Sequence, residues 1–124
     1  MKLLYAHDHK FYEYNKDYFS SGSFPKEVLL RYVKIFEDVR FVSRQVSVND
    51  KPKMLLATIE GVTFIKVPDF FSLKDYHKKF EANKIISNEV KMADCVIARL
   101  PSEIGSIAIK YAQKYGKPYL IEVV

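Results

Sequence analysis

An α/β fold with a mainly parallel sheet is predicted by the alternation of apolar runs and helical patterns along this chain. The clearest unit comes last: apolar residues 95–98, a helical stretch beginning at Ser102, and a second apolar run at 119–124. Two strands joined by a helix must run parallel. The complete order is strand, helix, strand, strand, helix, strand, helix, strand, which is typical of a Rossmann-like three-layer fold with helices on both faces.

The first part of the chain is predicted to contain a strand, a long loop and a helix. Residues 2–6 form the strand, and the polar, Tyr-rich residues 7–23 form the loop. Loops longer than about 12–15 residues are usually functional or disordered, so this loop is assigned to the site. Ser23 is the predicted N-cap of the helix that follows. The apolar face of that helix consists of Val28, Leu29, Tyr32, Val33 and Phe36.

The middle of the chain is predicted to hold strands and a long helix. Residues 38–43 form a strand, 44–53 a polar surface connection, and 54–59 with 62–67 either two short strands or one strand after an apolar connection. Residues 72–93 follow a helical pattern. Its apolar stripe consists of Leu73, Tyr76, Phe80, Ile86 and Val90.

The last helix has clear boundaries. The Ser102 hydroxyl is placed to cap its first turn, and Gly116 stands where a left-handed residue commonly ends a helix. Beyond it, Val124 ends the chain within an apolar strand that no further helix covers. We therefore expect residues 1–124 to be a single amino-terminal domain, followed in the complete protein by a second domain.

Composition limits the class of protein. The chain has 124 residues, 48% of them hydrophobic, which suits one globular domain. No apolar run approaches the ~20 residues of a membrane span, and the amino terminus does not resemble a signal peptide, so a soluble cytoplasmic protein is expected. The net charge of +5 favours anionic partners. The single Cys95 lies in an apolar strand and is expected to be inert.

The carboxyl edge of the parallel sheet is the predicted site, because open parallel sheets bind ligands there. Arg99, Ser102 and Glu103 follow one strand at this edge. Arg binds phosphate or carboxylate bidentately, and Glu accepts from sugar hydroxyls. The alternative is a plain surface ion pair between Arg99 and Glu103.

The loop after the first strand supplies further candidates. His7 and Asp8 are candidate contacts for a polar substrate, with a structural or solvated role as the alternative. Metal binding is not expected, because no further Cys or His cluster supports a site. Ser21, Gly22 and Ser23 precede a helix, where amides and hydroxyls bind anions or simply cap the helix. No dinucleotide or triphosphate-binding fingerprint is present, and no cofactor is expected.

The helical stretch near residue 80 is basic. Candidate membrane contacts are Phe70, Phe71, Lys74, Lys78, Lys79 and Lys84. Aromatic side chains enter a bilayer interface, and each Lys near an anionic surface contributes about 1 kcal/mol. A solvated helix face is the alternative. Nucleic acid is not an expected partner, because no motif of known groove geometry is present.

Four segments together resemble the amino-terminal, acceptor-side domain of family 4 glycosyltransferases, enzymes with two Rossmann-like domains that make bacterial O-antigen and capsular polysaccharide. The segments are 21–25, 39–44, 94–105 and 116–124, and the most specific blocks are Arg99-Leu100-Pro101-Ser102 and Lys117-Pro118-Tyr119-Leu120-Ile121-Glu122. The resemblance covers nearly the whole chain.

The resemblance implies a metal-independent, retaining enzyme whose absent carboxyl-terminal domain binds most of a nucleotide-sugar donor, so this domain alone should be inactive. It implies transfer of a hexose or N-acetylhexosamine from a UDP-sugar to a polyprenyl-diphosphate-linked sugar acceptor. The enzyme would be peripheral, at the cytoplasmic face of the bacterial inner membrane, with an anionic membrane surface as a partner. A non-enzymatic flavodoxin-like binding or signalling module is the alternative.

Overall fold

A long first strand organises the structure, a computed structural model that describes residues 1–22 and 24–123. The described part of the chain forms a mixed sheet of seven strands with three α-helices. In chain order the elements are β1 (Lys2–Tyr14), β2 (Asp17–Ser20), α1 (Phe24–Val33), β3 (Asp38–Ser47), β4 (Leu55–Leu56), β5 (Val62–Lys66), α2 (Lys79–Met92), β6 (Cys95–Leu100), α3 (Glu103–Lys114) and β7 (Tyr119–Val123). The predicted α/β class is confirmed.

The sheet is parallel in its main part and antiparallel at one corner. The parallel strands lie in the order β7-β6-β1-β3-β5. The first half of β1 pairs with β6, from Leu3 opposite Cys95 to Ala6 opposite Ala98. Its last residues pair with the antiparallel β2, which in turn pairs with β4. The hairpin of β1 and β2 therefore extends past the point where β6 ends.

The predicted loop over residues 7–23 is wrong, because β1 continues to Tyr14 and returns as β2. The two strands are joined through Asn15 and Lys16, both with positive φ (49° and 66°). This is the left-handed pair that a two-residue hairpin with the native twist requires. Phe11 is fully buried in the continued strand and Phe19 is buried in β2, whereas Tyr12 and Tyr14 are only partly buried. The polar connection predicted at 44–53 is likewise shorter, since β3 runs to Ser47.

Two apolar clusters follow the alternation of side chains along β1. Leu3 and Tyr5 belong to one cluster, and Leu4 and Ala6 belong to the other. Val28 and Leu29 of α1 pack in the first cluster, and the predicted face of this helix is confirmed. Helices α2 and α3 supply the second cluster with Ala82, Ile86, Val90, Ile104, Ile107 and Ala108.

The apolar stripe predicted for residues 72–93 is wrong in its first half. Residues 76–78 form a short 3-10 turn before α2 begins at Lys79. Leu73, Tyr76 and Phe80 are 97%, 57% and 82% exposed, whereas Ile86 and Val90 are fully buried. With 3.6 residues per turn, Phe80 lies about 120° around the helix from Ile86, so the two cannot share a buried face. In the described residues no helix is long and apolar enough to cross a membrane.

Candidate functional site

Two cavities lie along the edge of the sheet where β6 ends. One, of about 620 Å³, is lined by Asp8, Leu100, Pro101, Ser102, Glu103, Ser106 and Val123. The other, of about 430 Å³, is lined by His7, Asp8, His9, Lys10, Tyr12, Ser21, Arg44, Met54 and Pro101. Because both cavities include Asp8 and Pro101, they form two limbs of one trough, which we call the edge trough. The sequence predicted a site at this edge. The fold brings five of the candidate residues together there: His7, Asp8, Ser21, Ser102 and Glu103.

An irregularity in β1 directs side chains into the edge trough. The register between β1 and β3 shifts between Ala6 and Lys10, so residues 7–9 lie in a bulged segment. Bulges re-aim side chains and are common next to functional sites. The segment lies between the half of β1 that pairs with β6 and the half that pairs with β2.

Asp8 caps helix α3 from a distant part of the chain. Its two carboxylate oxygens accept from the backbone amides of Glu103 and Ile104, each at 2.8 Å. The buried Ser102 side chain accepts from Gly105 N at 2.9 Å, which confirms it as the N-cap. The Ser106 amide bonds to Ser102 O at 3.0 Å. The amides of residues 103–105, which have no partner within the helix, are therefore all satisfied by Asp8 and Ser102, and Ser106 makes the first intrahelical bond.

The close approach of α3 to β6 depends on Gly105. A Cβ at this position would lie 3.0 Å from Leu100 Cδ2 and 3.2 Å from Arg99 O. A side chain there would therefore push the first turn of the helix away from the strand, and with it the amides that Asp8 binds. Glu103, in the same turn, has its side chain exposed at the trough rim.

Arg99 of β6 belongs to a polar network centred on Glu122 of β7, so the alternative of an ion pair between Arg99 and Glu103 is not what the structure has. Its guanidinium lies 3.5 Å from Glu122 Oε1. Glu122 also accepts from the hydroxyls of Tyr5, at 2.6 Å, and Tyr32. Burial, and then the hydrogen bond to Glu122, raises the pKa of Tyr5, and the same causes raise that of Tyr32 to about 12. Both tyrosines are neutral donors at physiological pH.

The histidines of the bulge are neutral at physiological pH. Burial is the main cause that lowers the pKa of His7, and it lowers that of His9 to about 4, with repulsion from Arg44, and from His7 once it is protonated in acid, adding to the effect. His9 Nε2 lies 2.6 Å from Ser20 Oγ, which also accepts from the Gly22 amide at 3.3 Å. This bond ties the bulge to the segment of Ser21 and Gly22. The candidate Ser23, including its predicted capping role, lies outside the described residues.

Arg44 is a trough residue that the sequence reasoning missed as a site candidate. Its Nε donates to the backbone oxygen of Asp8 at 2.7 Å, and its guanidinium lies 4.5 Å from the centre of the Phe71 ring. Together with Lys10 it gives the 430 Å³ limb a positive charge. A signal was present, because Arg44 directly follows the predicted strand 38–43, at its carboxyl end.

The candidate membrane residues separate in the structure. Phe70 is buried, and Phe71 is partly covered by the guanidinium of Arg44, so neither forms a free aromatic surface. The lysines Lys74, Lys78, Lys79 and Lys84 lie on or just before α2, and Lys78 is paired with Asp75 at 3.3 Å. Among the described residues no three His, Cys, Asp or Glu side chains are grouped to hold a metal ion.

Comparison with known proteins gives one informative likeness. The chain is 35% identical, over 128 aligned positions, to Protein CapJ of Staphylococcus aureus. The alignment covers 100% of this chain but 32% of CapJ, so the chain spans about a third of the length of this curated relative. No family model matches the chain. No solved structure matches it significantly.

Proposed function

We propose that this chain is the acceptor-side domain of a glycosyltransferase of capsular polysaccharide synthesis. The observation that carries the proposal is the edge trough, a groove at the carboxyl ends of parallel strands that carries hydroxyl and charged side chains, with cations in one limb. Open α/β sheets bind their ligands at this edge. The likeness to CapJ supports a role in capsule biosynthesis, and the fraction of CapJ that is matched is what one domain of a longer protein would cover.

The parallel strands with α1 on one side and α2 and α3 on the other support a Rossmann-like domain within this mixed sheet. In the two-domain enzymes that the sequence resembles, a second such domain binds the nucleotide-sugar. We infer that this chain works opposite such a domain, on a UDP-linked hexose or N-acetylhexosamine. The site would then be closed only in the longer protein.

A polyprenyl-diphosphate-linked sugar is the proposed acceptor. Arg44 and Lys10 are the cations available to its diphosphate in the 430 Å³ limb. Neutral His7 is placed to exchange hydrogen bonds with a sugar, while exposed Glu103 and Ser106 line the other limb. Asp8 is excluded as a free catalytic base because both its oxygens are bonded to α3. Since such acceptors are anchored in the bilayer, the proposed location is the cytoplasmic face of the membrane.

Binding of a short-chain polyprenyl-diphosphate N-acetylhexosamine to this chain, measured by calorimetry, tests the proposal. An Arg44→Gln/Lys10→Gln variant should bind at least about tenfold more weakly, because bonds to charged groups contribute roughly 1.5–3 kcal/mol each before solvent screening. The matched control is Arg31→Gln/Lys34→Gln, which removes the same charge from the exposed surface at the end of α1. The control should bind within twofold of the unmodified chain.

A transfer assay with a panel of UDP-sugars provides the second readout. It compares this chain alone with the chain joined to the donor-binding domain that the proposal requires, and we expect transfer only from the joined protein. If the two double variants bind the acceptor equally well, the acceptor site does not lie in the edge trough. Absence of both binding and transfer would contradict the proposal and favour the flavodoxin-like binding module.

A further inference from the structure

Helix α2 and the turn before it carry a second apolar stripe that no part of the described protein covers. Tyr76 and Phe80 are four residues apart, so they lie on one side of the helical path, and Leu73 stands in the non-helical turn three residues before Tyr76. They are 97%, 57% and 82% exposed. The buried stripe of the same helix contains Ala82, Ile86 and Val90, which already pack against the sheet. The outer stripe is therefore available for contact with a partner molecule or surface.

A groove between α2 and α3 continues this stripe. It has a volume of about 700 Å³, and its walls include Tyr76, Phe80, Tyr111 and Tyr115. The Tyr111 and Tyr115 rings stack with their centres 6.0 Å apart. Their hydroxyls bond to Asn83 and Ser87, so the aromatic floor is fixed in position. We call this groove and the outer stripe together the aromatic–lysine face.

Lysines surround the aromatic–lysine face. The groove is lined by Lys79, Lys84, Lys91 and Lys114, and no Asp or Glu is among its lining residues. The Lys91 ammonium lies 5.1 Å from the centre of the Tyr115 ring, and that of Lys114 lies 5.9 Å from Tyr111. Such contacts hold the charges over the rings without neutralising them.

The acidic residues near the face are already engaged or point elsewhere. Asp75 is paired with Lys78 at 3.3 Å. Glu89 is buried and bonded to Arg40 at 2.8 Å, and Glu81 lines a different cavity with Lys78. The face consequently combines exposed apolar groups with uncompensated positive charge.

We propose that the aromatic–lysine face docks this protein on an anionic lipid bilayer. Leu73 and Phe80 enter the boundary between headgroups and acyl chains, where exposed apolar side chains gain most. The lysines contact anionic headgroups, each strengthening binding by about fivefold, which corresponds to about 1 kcal/mol. A soluble acidic polymer would satisfy the lysines but would leave Leu73 in water. Phe80 and Leu73 thus replace Phe70 and Phe71, the candidates predicted from the sequence, as the inserting groups.

Cosedimentation with vesicles tests the proposal on the full chain. Phosphatidylcholine vesicles contain 0, 20 or 40% phosphatidylglycerol, and binding should rise with the anionic fraction. A Lys84→Gln/Lys91→Gln/Lys114→Gln variant should bind about 100-fold more weakly, because each of the three lysines strengthens binding by about fivefold. The matched control, Lys34→Gln/Lys51→Gln/Lys53→Gln, removes the same charge from α1's end and the loop after β3, and should change binding less than threefold. Equal losses in both variants would overturn the proposal.

Insertion is tested separately, because the chain has no Trp and accepts a unique fluorophore. In a Phe80→Trp variant, emission should shift to shorter wavelength on 40% anionic vesicles and be quenched by brominated lipid. The control Tyr14→Trp, at the hairpin tip, should stay unquenched. Equal quenching of the two, or binding to soluble polyphosphate without binding to vesicles, would refute membrane docking. The vesicles hold no polyprenyl acceptor, so this result is independent of the proposed enzymatic function.

Discussion

Removing the carboxylate of Asp8 should destabilise the fold, because that carboxylate caps α3. In an Asp8→Ala variant, the amides of Glu103 and Ile104 each lose an acceptor at 2.8 Å. Hydrogen bonds to charged groups contribute roughly 1.5–3 kcal/mol, and the bond at Glu103 is exposed, which reduces its share. We expect a loss of about 2–3 kcal/mol in the free energy of unfolding. Ser102→Ala, which removes one neutral cap, should cost about 1 kcal/mol.

Urea denaturation followed by circular dichroism measures these losses. The matched control is Asp50→Ala, an exposed carboxylate in the loop after β3, which should stay within about 0.5 kcal/mol of the unmodified chain. Asp8→Asn keeps one acceptor oxygen and loses the favourable charge at the helix start, so it should lie between Asp8→Ala and the unmodified chain. An Asp8→Ala variant as stable as the Asp50→Ala control would refute the capping role and restore Asp8 as a candidate ligand contact.

Three further predictions concern charges and titrating groups. Arg40→Met should cost about 3 kcal/mol because it leaves the carboxylate of Glu89, 6% exposed, without its partner, whereas Arg40→Met/Glu89→Leu should cost less than about 1 kcal/mol in the same urea assay. The pKa of Tyr32 is raised from 10.0 to about 12, so its contribution to stability is complete below pH 10 and is lost between pH 10 and 12. A Tyr32→Phe variant, which lacks the hydroxyl that donates to Glu122, should show a smaller alkaline loss in urea midpoints between pH 9 and 11, because Tyr5, whose pKa is also raised, keeps its own contribution. The pKa of His9 is lowered from 6.5 to about 4, so its contribution is present above pH 6.5 and disappears as the pH falls towards 4. A His9→Gln variant should have a flatter pH dependence there, and an NMR titration of His9 with a midpoint near 6.5 would contradict the burial argument.

Much of the fold was predictable, because buried parallel strands and their helices carry strong periodic signals. The strands at 38–43, 62–67 and 95–98 and the face of α1 were found in this way. The β1–β2 hairpin was missed because its turn is Asn15-Lys16 and not the Asn-Gly pair that marks such turns in sequence. The first half of the stripe in α2 was missed because apolar spacing alone does not say which side of a helix is buried.

The site was predictable in location but not in roles. That Asp8 and Glu103 meet at one edge follows from strand order, but the bond between residues 95 positions apart depends on the bulge in β1. The partner of Arg99 was within reach of the sequence. Pairing the last two apolar runs in parallel register places Arg99 beside Glu122, which is where the structure has it. The capping and pairing roles needed side-chain geometry that no spacing rule supplies.

The cap at α3 has a consequence for how the edge trough would receive an acceptor. In many α/β proteins an anion sits on the amides of a helix that begins at this edge, but here Asp8 and Ser102 have taken those amides. A diphosphate placed there would face the carboxylates of Asp8 and Glu103 in place of free donors. Asp8 also borders the 430 Å³ limb, but there the cations Arg44 and Lys10 outnumber it, and no residue of α3 lines that limb. On electrostatic grounds the diphosphate of the proposed acceptor would therefore bind in the 430 Å³ limb, which leaves the 620 Å³ limb, with Ser106 and the end of β6, for the uncharged sugar.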